Sequence, residues 1–339
     1  LSSFIEVSKK VLPDLLEVMQ KRYDILRQVS QMEPVGRRSL AGILGMTERV
    51  LRGEVDFLKN QSLINVDNNG MSLTESGRQV LSEMTGMMKE IKGIDIKERL
   101  LAEKLGIQKA IIVPGNTDEQ ESVKNDLGKE TASLMLSLFN GKNTIAVTGG
   151  STMAKVAEAM IPHHLLSDLL FVPARGGVGA DLNNQANTIC AKMAERTNSA
   201  YRTLYVPDVV GNDMYQSMIK EPSIKEVLQQ IKSANIVLHG IGDAITMAKR
   251  RETNESDLQK LKGACAVGEA FGYYFNEAGE VIHRVQTIGL QLDDLEGIQH
   301  VVAVAGGISK AKAIAAYMKR APKNTVLITD EAAALKLLK

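Results

Sequence analysis

Val147-Thr148-Gly149-Gly150-Ser151-Thr152-Met153 is an apolar run that ends in a tight glycine turn and opens into a helix. A strand, a glycine turn and a helix in that order form the entry of a crossover unit, the building block of a parallel sheet. The same turn can hold an anion. Backbone N–H groups left unpaired at a helix start point outward together, the helix dipole adds partial positive charge, and glycines let a phosphate approach the main chain. Thr148, Ser151 and Thr152 would add hydroxyl donors. A Gly-Gly turn is also ordinary architecture, so the choice between structural corner and phosphate cradle rests on the other strand ends.

Similar apolar runs lie on both sides, at Ala110 to Val113, Thr144 to Val147, Leu169 to Val172, Thr203 to Val206, Ile236 to Leu238, Val301 to Ala305 and Val326 to Ile328. Helical stretches separate them, which predicts an α/β domain with a mostly parallel sheet. Ligands in such sheets sit beyond the carboxyl ends of the strands. The run at Leu169 leads into Pro173-Ala174-Arg175-Gly176-Gly177-Val178-Gly179 and then Asn183, Asn184, Gln185 and Asn187. Leu238 leads into His239-Gly240-Ile241-Gly242-Asp243-Ala244, with Lys249-Arg250-Arg251 beyond, and Ala305 into Gly306-Gly307-Ile308-Ser309-Lys310, a second Gly-Gly turn entering a helix. Repeated glycine turns among Arg175, Arg250, Arg251 and Lys310 describe a pocket for a strongly anionic ligand. Guanidinium groups grip phosphate through paired hydrogen bonds, whereas a lysine acts as a point charge. Glu269 and Gln185 are suited to sugar hydroxyls. His239 reads as a satisfied core histidine, and Thr329-Asp330-Glu331 as a helix N-cap with acids in its first turn.

The first part of the chain follows a different pattern. Leu15, Met19, Leu26 and Val29, with Val18 and Ile25 beside them, recur at helical spacing from Asp14 to Gln31. After Pro34 and Gly36, a short helix through Leu40, Ile43 and Leu44 stops at Gly45. Thr47 then caps a second helix reaching about Lys59, with Val50, Leu51, Val55 and Leu58 facing inward. That is a helix-turn-helix. Its second helix projects Glu48, Arg49 and Arg52 from its first turns, where a recognition helix meets base edges, and Arg37 and Arg38, followed by Ser39, precede the helix before it. Asp67-Asn68-Asn69-Gly70 between two short apolar strands is a hairpin signal, and Asn68 and Asn69 then lie at the tip of a wing. Thr74 caps a further helix. Regularity fails around Gly93, so a winged helix-turn-helix is expected over residues 1–90, a linker to about 98, and the α/β effector and oligomerisation domain over 99–339.

Composition limits what else the protein can be. Over 339 residues, 44% are hydrophobic and 24% charged, the balance of a globular protein with ample core. Net charge is +1, and twelve basic residues match twelve acidic ones within residues 1–90, so bulk charge announces no nucleic acid. Locally, four arginines face one acid across residues 36–53. Cys190 and Cys265 suggest neither a disulfide framework nor a metal site. The chain has no apolar run of membrane-spanning length and no leader pattern, so it is expected to be cytoplasmic and without membrane partners.

With these loops assembled, the chain resembles the SorC family of bacterial sugar-responsive transcriptional regulators. The resemblance runs through Gly36-Arg37-Arg38-Ser39-Leu40 to Arg52, Thr148-Gly149-Gly150-Ser151-Thr152, Pro173-Ala174-Arg175-Gly176-Gly177, Gln185-Ala186-Asn187-Thr188, Glu269-Ala270-Phe271-Gly272-Tyr273-Tyr274-Phe275, and Ala305-Gly306-Gly307 with Lys310. It implies an effector domain similar in fold to phosphosugar isomerases and glucosamine-6-phosphate deaminase, with catalysis lost and the pocket kept. It further implies a repressor of glycolytic genes that binds operator DNA as a homo-oligomer, dimer or tetramer, needs no cofactor or metal, and has fructose 1,6-bisphosphate as its inducer. Gly149, Gly150, Ser151, Thr152, Arg175, Gln185, Arg250, Arg251, Glu269 and Lys310 are assigned to that effector, whose two phosphates call for two anion sites, for which the chain offers two helix-entry turns and four cations. The alternative is a phosphosugar isomerase or deaminase with an accessory N-terminal domain and Asp243 and Glu269 as bases. Against it, Gly242-Asp243-Ala244 is followed by Ile245 and Thr246, where the isomerase resemblance expects Asp and Glu.

Overall fold

Thr47 accepts a hydrogen bond from Val50 N at 3.4 Å and so starts the helix Glu48–Asn60, while Thr74 does the same for Gly77 N at 2.9 Å and starts Glu75–Ile91. With Pro13–Met32 and Arg37–Ile43 before them and the hairpin β1 (Ile64–Asp67) and β2 (Gly70–Leu73) between, these helices form the first of two units, Leu1–Ile96. The computed structural model describes residue 7 and residues 10–162, 168–177, 181–207 and 210–339, so Val178 and Gly179 of the glycine-rich loop lie outside the described residues. Leu26, Val29, Leu40, Leu51, Val55, Leu58, Ile64 and Met71 close one core. Val35 pairs with Met71 through two backbone hydrogen bonds, adding a third edge to the wing. Leu51, Val55 and Leu58 face that core as expected, but Val50 does not: it lies off the stripe and is 46% exposed.

The second unit, Lys97–Lys339, is built on a parallel sheet. Its strands are β3 (Lys109–Val113), β4 (Asn143–Val147), β5 (Leu169–Pro173), β6 (Ala200–Tyr201), β7 (Ile236–Gly240), and, after a smaller sheet, β12 (His300–Val304) and β13 (Thr325–Asp330). Their order is β3-β13-β12-β7-β4-β5-β6, and every pairing is parallel. Alternate residues such as Ile145 and Val147, Ile236 and Leu238, Val302 and Val304 face the helices Glu121–Leu138, Ser151–Ala159 and Ala186–Thr197. The intervening Ala146, Val237, Val301 and Ala303 are buried as well, so both faces are covered. The chain leaves β4 for β5 on one side and returns as β7 on the other, which opens a crevice at their carboxyl ends.

Two features differ from the expected elements. Residues 203–206 are not a strand; the adjoining strand is the two-residue β6. Leu204 instead satisfies its backbone on a side chain, donating its N–H to Asn187 Oδ1 at 2.9 Å and accepting from Asn187 Nδ2 at 3.1 Å. Between β7 and β12 the chain also builds an unexpected antiparallel sheet, β8 (Gly242–Asp243), β9 (Ala266–Ala270), β10 (Tyr273–Asn276) and β11 (Val281–Arg284), in the order β11-β10-β9-β8. This sheet carries Glu269 to the crevice.

Candidate functional site

All ten residues assigned to the effector line one cavity of about 430 Å³ beyond the strand ends. The first glycine turn forms its floor. Gly149 packs so closely on the neighbouring loop that a Cβ there would lie 2.5 Å from Asn184 O. Gly150 adopts φ 123°, a left-handed conformation open to glycine, and donates its N–H to Asn184 O at 2.8 Å. This contact brings Gln185 beside the turn. Thr148 bridges the crevice, its N–H donating to Leu238 O at 3.0 Å and its hydroxyl oxygen accepting from Gly240 N at 3.2 Å. Among the described residues no side-chain hydrogen bond caps the helix Ser151–Ala159, so its first N–H groups open onto the cavity.

The second glycine turn departs from expectation. Gly307 N donates to Asp330 Oδ2 at 2.7 Å, and Ser309 donates its N–H and its hydroxyl to the two oxygens of Asp118, at 2.9 and 2.7 Å. Two carboxylates already fill the place a phosphate would take. Asp330 also accepts from Ala333 N at 2.8 Å, which makes it the expected N-cap of Glu331–Leu338. Of the two glycine turns, only the first therefore leaves its helix start open, and further negative charge must be met by side chains.

The four cations divide into two kinds. Glu269 Oε1 accepts from Arg251 Nη2 at 2.9 Å, Gly272 N at 2.6 Å and Arg175 Nη1 at 3.4 Å. Arg251 also donates to the Tyr274 hydroxyl at 2.9 Å. The side chains of Arg251, Arg175 and Glu269 are 2%, 5% and 5% exposed, so much of this charge is used in organising the wall. Lys310 and Arg250 differ: neither side chain has a hydrogen-bond or ion-pair partner within 4.0 Å among the described residues. Burial pushes the half-buried Lys310 ammonium below the usual lysine range, Lys124 and Arg250 push it the same way, and Asp118 and Asp243 offset part of this.

The carboxylate bases of the enzyme alternative are otherwise engaged. Asp243 Oδ1 caps the helix Ala244–Arg250, accepting from Thr246 N at 2.8 Å and Thr246 Oγ1 at 2.7 Å. His239 is fully buried, with Nδ1 3.0 Å from Gly240 O and Nε2 3.0 Å from the Tyr317 hydroxyl; burial pushes its pKa down to about 4. Asp118, Asp181, Thr246 and Ser309 were not among the site residues expected from the sequence. Of these, Asp181, Thr246 and Ser309 line the cavity, and Asp181 accepts from Asn184 Nδ2 beside the first turn. Single polar residues carry no periodic signal of a site, so only the fold reveals them.

In the first unit Arg37, Arg38, Ser39, Thr47, Glu48, Arg49, Arg52, Asn68 and Asn69 are all exposed. Arg38 Nε donates to Glu48 Oε1 at 3.2 Å, linking the two helices of the motif, and both side chains stay largely solvated. No helix among the described residues is long and apolar enough to cross a membrane, and no group of three or more His, Cys, Asp or Glu among them could hold a metal.

A winged helix-turn-helix followed in the chain by a parallel-sheet unit with an anion pocket is the plan of a sugar-responsive regulator. Residues 18–88 match the family described as "CggR N-terminal DNA binding domain", and residues 89–339 the one described as "Putative sugar-binding domain". The chain belongs to the SorC family of transcriptional regulators. It is 53% identical over 339 residues to the central glycolytic genes regulator of Bacillus subtilis strain 168, covering 100% of this chain and 99% of that one. Identity to the protein of the same name from Priestia megaterium is 54% over 338 residues, covering 99% and 98%. A solved SorC-type regulator from Enterococcus faecalis, 50% identical, superposes with a TM-score of 0.68 over 72% of this chain and 99% of its own. The full-length sorbitol operon regulator SorC of Klebsiella pneumoniae, 17% identical, has a TM-score of 0.64 over 94% and 99%, a likeness of fold.

Proposed function

We propose that this chain represses glycolytic genes by binding operator DNA as a homo-oligomer, dimer or tetramer, and that fructose 1,6-bisphosphate, filling the cavity, induces release. The observation that supports this most is that one cavity holds two separate unmet demands for negative charge. One is the uncapped start of the helix Ser151–Ala159, and the other is Lys310 with Arg250. A bisphosphorylated sugar meets both, with Gln185 and the wall around Glu269 available to its hydroxyls. The naming of the two relatives as regulators of central glycolytic genes supports the choice of target genes. With Asp243 acting as a cap and Glu269 Oε1 taking three donors, the site acts by binding and not by catalysis.

Titration calorimetry tests the reading with fructose 1,6-bisphosphate against unphosphorylated fructose. The bisphosphate is expected to bind and fructose to give no heat; equal binding of the two would contradict it. Thr152→Val removes one donor to a charged oxygen and should weaken the bisphosphate by roughly tenfold. An unchanged affinity would remove the turn from the site.

A further inference from the structure

Lys310 is a half-buried ammonium beside Lys124 and Arg250, so something must hold it in the cavity. Its own turn is a three-residue 3-10 segment, Ile308–Lys310, that follows Gly307 at φ 98° and runs into the helix Ala311–Met318. A second restraint comes from elsewhere in the chain. The loop after β3 brings Thr117 and Asp118 over this turn. Thr117 donates its N–H and its hydroxyl to Asp330 Oδ2, both at 2.8 Å, and the same oxygen takes Gly307 N. Buried Asp330 thus ties the loop and the base of the turn together. Asp118 makes the second tie, one residue from the lysine, with both oxygens on Ser309. The fit is close, since a Cβ on Gly307 would lie 2.3 Å from Asp118 Oδ1.

We propose that Asp118 is a positioning residue for effector recognition: by holding the N–H and hydroxyl of Ser309, it fixes the turn that presents Lys310 to the ligand's second phosphate. The inference rests on the anionic-effector reading above. Asp118 does not itself line the cavity, and its carboxylate acts on the ligand through the lysine. Two charge-assisted hydrogen bonds to adjacent groups of one residue define the backbone there more tightly than either alone. The same carboxylate explains why this glycine turn is closed to phosphate while the Gly149-Gly150 turn is open.

A double-mutant cycle on the full-length chain tests this, with fructose 1,6-bisphosphate affinity read by calorimetry and operator binding without sugar as a check of folding. Failure of the unmutated chain to bind the bisphosphate would overturn the anionic-effector reading and this inference with it. If it binds, Asp118→Ala should lose roughly tenfold in affinity, the loss of about one charge-assisted contact. In the Lys310→Ala background, Asp118→Ala should change nothing further, because its effect passes through that ammonium. Asp118→Asn, which retains an acceptor for Ser309, should recover most of the affinity. Wild-type affinity in Asp118→Ala, or an equal loss with and without Lys310, overturns the assignment.

Discussion

Glu269 takes three donors at one oxygen, and two of them belong to guanidinium groups almost wholly removed from water. Breaking a buried ion pair leaves the surviving charge without compensation, which typically costs about 3 kcal/mol or more. Glu269→Gln should therefore lower the melting temperature by roughly 10 °C for a unit of this size. A shift within about 1 °C in a thermal scan would show that the wall is held by packing instead. His239 gives a second expectation at this scale. Burial lowers its pKa to about 4 from an ordinary value of about 6.5, so between these the unfolded chain takes up a proton that the folded chain refuses. Its contribution is full above pH 6.5 and falls away toward pH 4, by of order 3 kcal/mol. Urea unfolding at pH 7 and pH 4.5 should show that loss, and His239→Gln should reduce it; an unchanged pH dependence in the variant would exclude this histidine as the cause. These partnerships were not legible in the sequence. Arg251 and Arg250 are neighbours in a basic run, yet one side chain is buried against Glu269 and Tyr274 and the other is exposed. Only the antiparallel sheet that carries Glu269 separates their roles.

At the scale of elements, the two glycine turns look alike in sequence and differ in what surrounds them. Gly149-Gly150 meets a backbone carbonyl at Asn184 and leaves the helix start open, whereas Gly306-Gly307 meets the carboxylates of Asp118 and Asp330. Neither acid is near that turn in sequence, so its closure is a tertiary fact. Gly149→Ala would place a methyl 2.5 Å from Asn184 O, and backbone cannot swing aside as a side chain can. The Asn184–Gln185 segment must then move away, and bisphosphate affinity should fall by of order tenfold, as for one lost charge-assisted contact. Wild-type affinity on titration would mean that this close approach does not shape the site. Six of the seven parallel strands were legible because each is a short apolar run, several of them with a glycine turn after it. The segment 203–206 has the composition of a strand but takes its hydrogen bonds from Asn187, with Tyr205 83% exposed. Strands β8 to β11 are short, and of them only the end of β9 and most of β10, within Glu269 to Phe275, stood out as a family motif, without showing as a sheet. Thr47 and Thr74 were legible as caps because capping depends on local chemistry that a few residues contain.

For the whole molecule, both units had a sequence signature, but the coupling between them belongs to neither alone. A sugar can weaken operator binding only by as much as it favours an arrangement that DNA does not, and DNA must weaken sugar binding by the same factor. The most direct test is operator affinity on the promoter of the chain's own operon, titrated with and without fructose 1,6-bisphosphate, with Arg52→Ala as control. The bisphosphate is expected to lower operator affinity, and Arg52→Ala to abolish operator binding while keeping the protein's stabilisation by the sugar. Operator affinity that is the same with and without saturating bisphosphate would contradict it.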